Sequence, residues 1–142
     1  MKRRTIVIPL AAAAALAGFG TAALAGGTSN ATGTTVNVTL KEWKLIPTPT
    51  SMIAGKVTFV IRNRGTTEHE LIVLKTSTAP NKLPLGKDGR VPEDAFPIKV
   101  DTEVHPGKSK KVTVTLKKGK YVFICNLAGH YKNGQYARFT VK

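Results

Sequence analysis

The only cysteine of the chain, Cys125, lies in the closing stretch YVFICNLAGHYKNGQYARFTVK, from Tyr121 to Lys142. It ends an apolar, β-prone run. A Cys-x4-His-x4-Gln spacing then carries His130 and Gln135 through a short loop to the last strand. A thiolate and an imidazole on one strand-to-strand loop suit a small copper site, since copper accepts both donors. A lone cysteine is more often a buried, inert thiol, but these neighbours point to ligation.

Three histidines are available: His69, His105 and His130. A thiolate and two imidazoles in a trigonal plane, with a weak axial donor, form the ligand set of a blue copper electron-transfer site. Cys125 and His130 supply the loop half, and a remote histidine has to complete it from a neighbouring strand. His69 opens a strand just after a turn in NRGTTEHELIVL, where its ring faces the C-terminal loop at one end of the molecule. His105 lies in a His-Pro-Gly turn ahead of a strand that leads by hairpin into Cys125. That hairpin places it near the far end of the strand pair from His130. His69 is therefore the expected second imidazole, and His105 an ordinary surface histidine.

The elements that must hold these residues read as strands. From Thr34 the pattern has period two, with Val36, Val38 and Leu40 alternating with Thr35, Asn37 and Thr39. Trp43, Leu45 and Ile46 are expected to pack on the core before a turn at Pro47 and Pro49. Further strands are expected at Lys56 to Asn63, His69 to Leu74, Ile98 to Val104, Ser109 to Leu116, Lys120 to Cys125 and Tyr136 to Val141. Thr76 to Pro97 reads as a long excursion with a short helical turn near Glu93 to Ala95. Many short strands with punctuating turns, no convincing helix and no internal repeat indicate an all-β, antiparallel Greek-key sandwich.

The first 25 residues do not count toward that fold. Lys2, Arg3 and Arg4 precede an apolar stretch, Ile6 to Gly20, and Ala23-Leu24-Ala25 gives a small-x-small cleavage signature. Residues 1–25 are an expected export signal, 26–33 a Gly/Ser/Thr/Asn linker, and 34–142 one copper-binding domain. Arg3-Arg4 hints at a twin-arginine route. No cysteine follows the apolar stretch, which argues against a lipoprotein anchor, whereas an uncleaved signal would serve as a membrane tether. The expected location is periplasmic or otherwise extracytoplasmic, where a single cysteine makes no internal disulfide. The formal charge of +14 falls to +11 without the three basic leader residues, because all eight acidic residues come later. The basic residues are scattered and few aromatics accompany them, so no nucleic acid is expected. The charge suits an acidic docking face on a redox partner or an anionic membrane surface.

NRGTTEHE followed by CNLAGHYKNGQY resembles the single-domain cupredoxins of the plastocyanin, azurin and sulfocyanin type. The likeness spans most of the chain after the leader, and the last 22 residues carry its specificity. The family pattern is Cys-x4-His-x4-Met, with a first histidine after an Asn-x-Gly turn. Carried over by position, His69, Cys125 and His130 become equatorial ligands, and Gln135 stands where the methionine belongs. Met1 lies in the leader and Met52 far away, so neither replaces it. Gln135 is the expected axial ligand through its amide oxygen, as in stellacyanin-like members. The alternative is a solvent-facing glutamine beside a three-coordinate copper. An oxygen donor favours Cu(II), which implies a lowered reduction potential. The stellacyanin likeness ends there, since those members carry a disulfide. The family also implies a backbone N–H at Glu70 toward the thiolate and a solvent-facing edge at His130. Asn126 is expected to brace the loop, and Phe123, Leu127 and Tyr131 to fill core.

The expected function is that of an exported, monomeric carrier of single electrons holding one type 1 copper. Copper delivery to an exported enzyme is the alternative, although carriers usually display methionine- or histidine-rich tracts that are missing here. An enzyme is not expected, because a second copper centre needs more histidines than three.

Overall fold

Alternation decides which way the first strand faces. Val36, Val38 and Leu40 of β1 (Thr34–Lys41) are buried while Thr35, Asn37 and Lys41 face water, as a period of two requires. Two residues, Glu42 and Trp43, turn the chain into β2 (Lys44–Thr48), with Lys41 opposite Lys44. The strands that follow are β3 (Ser51–Met52), β4 (Gly55–Asn63), β5 (His69–Lys75), β6 (Ile98–Val104), β7 (Ser109–Leu116), β8 (Gly119–Ile124) and β9 (Tyr136–Val141). The computed structural model describes residues 33–142. The expected export signal and all but the last residue of the expected linker lie outside the described residues. No helix among the described residues is long and apolar enough to cross a membrane.

The strands form two sheets, ordered β2-β1-β4-β7 and β3-β9-β8-β5-β6. The expected all-β sandwich is present, with two pairings that are parallel: β1 with β4, and β3 with β9. Parallel neighbours need a crossover rather than a hairpin, and here the intervening chain supplies it. β3 is only two residues long, too short to leave a pattern in the sequence.

Two apolar clusters hold the sheets. The larger lies between them, centred on Phe59, Phe123 and Phe139. Phe123 and Phe139 stack with centroids 4.8 Å apart, and Phe59 meets Phe123 edge-on at 5.5 Å. The smaller lies on the outer face of β5 and β8, where Ile72, Leu74, Val122 and Ile124 are covered by Leu83, Val91 and Tyr131. The excursion from Thr76 to Pro97 is thus a lid on the second sheet, with 3-10 turns at Pro80–Lys82 and Glu93–Ala95. β5 is consequently buried on both faces from His69 to Leu74, and its run HELIVL does not alternate.

Three expectations need correction. Leu45 is buried, but Trp43 and Ile46 are each 42% exposed. Ile46 falls on the outer face of β2 by simple alternation, and Trp43 stands at a hairpin tip. Pro47 lies within β2 rather than in a turn, which is tolerated because β2 is an edge strand. His105 is at the same end of the sandwich as His69, since Val104 pairs with His69. No hairpin joins β7 to β8, because they belong to different sheets. His105 is nevertheless a surface residue, 73% exposed, with Nδ1 3.3 Å from Glu68 Oε1.

The lid and the last loop are joined through Tyr131. Its hydroxyl donates to the Pro80 carbonyl at 2.7 Å and accepts the buried Leu83 N–H at 3.0 Å. Tyr131→Phe strands that N–H without a partner, at an expected cost of about 1–3 kcal/mol. Urea unfolding should show a lower midpoint with an unchanged slope.

Candidate metal centre

The pairing of β5 with β8 stops at Ile72 opposite Ile124. Two positions further in that register Glu70 would stand opposite Asn126, but side-chain acceptors replace the backbone there. The Glu70 N–H donates to Cys125 Sγ at 3.2 Å, and the Asn126 N–H donates to Glu70 Oε2 at 3.1 Å. The strands part around the sulfur instead of closing over it. Cys125 stands one residue beyond β8, and its own N–H donates to the Gln135 carbonyl at 3.0 Å, closing the base of the ligand loop.

His69, Cys125 and His130 come together as expected. His69 Nδ1 and Cys125 Sγ each lie 3.3 Å from His130 Nδ1, and one donor atom from each residue falls within 4.8 Å of the others. His69 and Cys125 are fully buried, while His130 is half-buried. Two imidazole nitrogens and a sulfur converging without a carboxylate oxygen among them make a donor set that copper accepts and hard cations do not. The three residues are positioned to bind a single copper ion. Burial pushes His69 below its usual pKa, with His130 adding to the effect, so its ring is neutral as a ligand must be. Burial pushes the Cys125 thiol up to about 11 against the N–H groups of Glu70 and Leu127. A bound cation offsets that cost and allows the thiolate to persist at neutral pH.

Gln135 is fully buried beside these donors, not solvent-facing. Its Nε2 donates to the Lys41 carbonyl at 3.2 Å and lies 3.0 Å from His69 Nδ1. Its Oε1 is buried and has no hydrogen-bond partner.

The first hairpin caps the site through Glu42, which the sequence did not single out, and Trp43, which was expected in the core rather than at the site. Glu42 Oε1 accepts the backbone N–H groups of Thr66 at 2.6 Å and Thr67 at 3.0 Å, and sits 3.6 Å from His69 Nε2. Gly65 makes this approach possible. A Cβ there would lie 2.6 Å from Glu42 Oε1 and 2.7 Å from His69 Nε2. Asn63 fixes the same turn, with Oδ1 accepting the Gly65 N–H at 2.8 Å and Nδ2 donating to the carbonyls of Thr67 and Val104, both at 2.7 Å. Trp43 meets the His130 ring edge-on, centroids 5.1 Å apart. The only signal for either residue was the motif KEWK between two alternating runs. Asn126 braces the loop as expected, pairing with both the N–H and the carbonyl of Val91 at 2.8 and 2.9 Å and donating to Glu93 at 2.8 Å.

Two carboxyls make opposite contributions to stability. The Glu42 carboxyl is held down to about 2 by its own N–H and those of Thr66 and Thr67. Its stabilisation is complete above the ordinary 4.5 and is lost as pH falls toward 2. Glu70 is raised to about 7 by burial, then by Asp101 and Glu93, so its contribution declines as pH rises from 4.5 through 7. Melting curves of the metal-free protein across this range should show Glu42→Gln flattening the acid limb and Glu70→Gln flattening the neutral one. Nitrogen NMR of the His69 ring should find the proton on Nε2 in the parent protein. That preference should weaken in Glu42→Gln.

The Cupredoxin-like domain family matches residues 10–136 of the chain. No curated protein matches it. Among solved structures, a reduced auracyanin from Roseiflexus castenholzii is 26% identical with a TM-score of 0.57, covering 77% of this chain and 97% of that one. Auracyanin A, a "blue" copper protein from Chloroflexus aurantiacus, is 22% identical with a TM-score of 0.51, covering 75% and 99%. Reduced rusticyanin is 20% identical with a TM-score of 0.56, covering 78% and 81%. A match across nearly the whole chain, ending on the loop that carries Cys125 and His130, establishes that the chain belongs to the cupredoxin-like family.

Proposed function

We propose that the chain is an exported, monomeric carrier of single electrons with His69, Cys125 and His130 as equatorial ligands and Gln135 Oε1 as the axial donor. The observation that carries this reading is the convergence of two ring nitrogens and a buried sulfur beside an unpartnered, fully buried amide oxygen. Copper held by these groups would supply a centre that gains and loses one electron. The chain's task is to keep the donors still while it does so. Glu42 Oε1 stands 3.6 Å from His69 Nε2 in the space that Gly65 leaves, the Glu70 N–H points at the sulfur, and the Val91–Asn126 pairing with Tyr131 ties the ligand loop to the lid. Little rearrangement then accompanies a change of charge.

Electrons enter and leave through the His130 edge, the least buried of the three ligands, beside exposed Trp43. Exposed Lys41, Lys44, Arg64 and Lys132 lie around this end and favour an acidic face on the redox partner. The leader, residues 1–25, directs export out of the cytoplasm. Delivery of copper to another protein fits less well, because His69 and Cys125 are closed off from an acceptor's ligands.

Loading with Cu(II) should give an intense thiolate-to-copper band, a small copper hyperfine splitting in EPR and reversible one-electron cycling. A colourless protein whose copper exchanges readily would sink the proposal. Cys125→Ser should abolish the band. Gln135→Met should raise the potential by about 59 mV or more, equivalent to a tenfold shift in relative affinity for the two oxidation states. An unchanged potential and spectrum would remove Gln135 from the ligand set while leaving the other three.

A further inference from the structure

Charge is divided unevenly between the two ends of the sandwich. The end remote from the metal ligands is built from the starts of β1, β4, β6 and β8 and the finishes of β5, β7 and β9. Lys56, Lys75, Lys117, Lys118, Lys120 and Lys142 sit on these strand ends and turns, all but Lys75 exposed. None of the chain's eight acidic residues falls on them. Lys75, Lys117 and additionally Lys99 line a cavity of about 350 Å3 with Tyr121 at its wall, an open volume edged by three ammonium groups.

The same end carries an apolar point. Ile53, in the turn between β3 and β4, is 70% exposed, the most exposed large apolar residue among those described. It is not a loose tip. Lys142 N–H donates to the Met52 carbonyl at 2.9 Å, and Ala54 N–H donates to the Lys142 carbonyl at 3.0 Å, so the turn is clamped on both sides of Ile53. A fixed apolar side chain at an end that carries several lysines is an arrangement that lets a protein place charge on lipid phosphates and one side chain among the acyl carbons.

The path of the chain adds a third observation. β1 begins at this end, Thr34 lying opposite Val57, so residues 1–33 join the sandwich here. A bilayer met at this end of the sandwich would lie away from the metal ligands.

We propose that this end docks on an anionic phospholipid bilayer, with the lysines on lipid phosphates and Ile53 at the boundary between headgroups and acyl chains. An acidic protein would match the lysines but would leave Ile53 and the entry point of the chain without a role. The proposal does not rest on the copper chemistry, and each can fail without the other.

Residues 31–142 carry every described strand and both apolar clusters, and form a compact unit that folds on its own core. This domain is floated with vesicles of phosphatidylcholine alone or with about a third phosphatidylglycerol. Binding should require the anionic lipid and fall with salt. Each lysine contributes about fivefold, so combined Lys117→Glu, Lys118→Glu and Lys120→Glu should cost about a hundredfold or more. Ile53→Ser should weaken binding and leave its salt dependence unchanged. Trp43, the only tryptophan, marks the opposite end: on vesicles it should stay open to aqueous acrylamide and untouched by brominated lipid. Equal binding to neutral vesicles, indifference to the lysine changes, or quenching of Trp43 by brominated lipid would each overturn the proposal. Displacement by millimolar inorganic phosphate at constant ionic strength would assign the cavity to a free anion instead. Capture of a soluble acidic protein with no vesicle binding would give the surface to a protein partner.

Discussion

The structure turns on a single donated N–H, from Glu70 to Cys125 Sγ at 3.2 Å. An antiparallel ladder satisfies its backbone groups with backbone groups, and β5 and β8 do so as far as Ile72 opposite Ile124. Two positions further on, a sulfur and a carboxylate take over as acceptors. The strands can then separate without stranding buried donors, and the gap between them receives His69 from one side and the ligand loop from the other. Without that substitution the strand ends would either close over the sulfur or leave two N–H groups unpaired. The cost is a buried carboxyl, Glu70, whose raised pKa records its poor solvation.

The sequence disclosed what depends on local pattern and spacing. Alternation in Val36, Val38 and Leu40 gave the direction in which β1 faces, and the Cys-x4-His spacing limited two ligands to one loop. His69 was legible because an Asn-x-Gly turn stands before it, and Asn63 does hold that turn. Long-range pairing was hidden. β5 does not alternate because an excursion with no period of its own covers its outer face, so neither segment announced the other. The position of His105 was misjudged for a related reason: consecutive strands β7 and β8 lie in different sheets, and nothing local marks a crossing. Trp43 was assigned to core by composition alone, although a two-residue hairpin tip cannot reach it.

That hairpin tip explains how two residues outside the ligand motif come to shape the site. Glu42 and Trp43 are adjacent in the chain, and each addresses a different histidine: the carboxylate faces His69 Nε2, and the indole meets the His130 ring. Neighbouring side chains at a turn diverge, so one short turn reaches a fully buried ligand and a half-buried one. Gly65 completes the arrangement by leaving the space a methyl group would take. A carboxylate beside the remote ring nitrogen also strengthens the donor at the other nitrogen. Such a partner favours the higher-charged metal state, in the same direction as an amide oxygen in place of a thioether. If Gln135 Oε1 serves as the proposed axial donor, it and Glu42 would bias the centre in the same direction.

The two ends of the sandwich are suited to different tasks, and strand length keeps them apart. β4 runs nine residues from the lysine-rich end to Asn63 beside the metal ligands, about 30 Å at roughly 3.3 Å per residue. No ligand edge approaches the remote end, so a surface held there neither donates electrons directly nor hides His130. Attachment and electron transfer then do not compete for one face. The mixed charges around Trp43 and His130 are suited to brief contacts that must dissociate after each electron, whereas an end rich in lysines is suited to staying attached. The long central strands of the two sheets, packed through Phe59, Phe123 and Phe139, are what make one small domain rigid enough to present both.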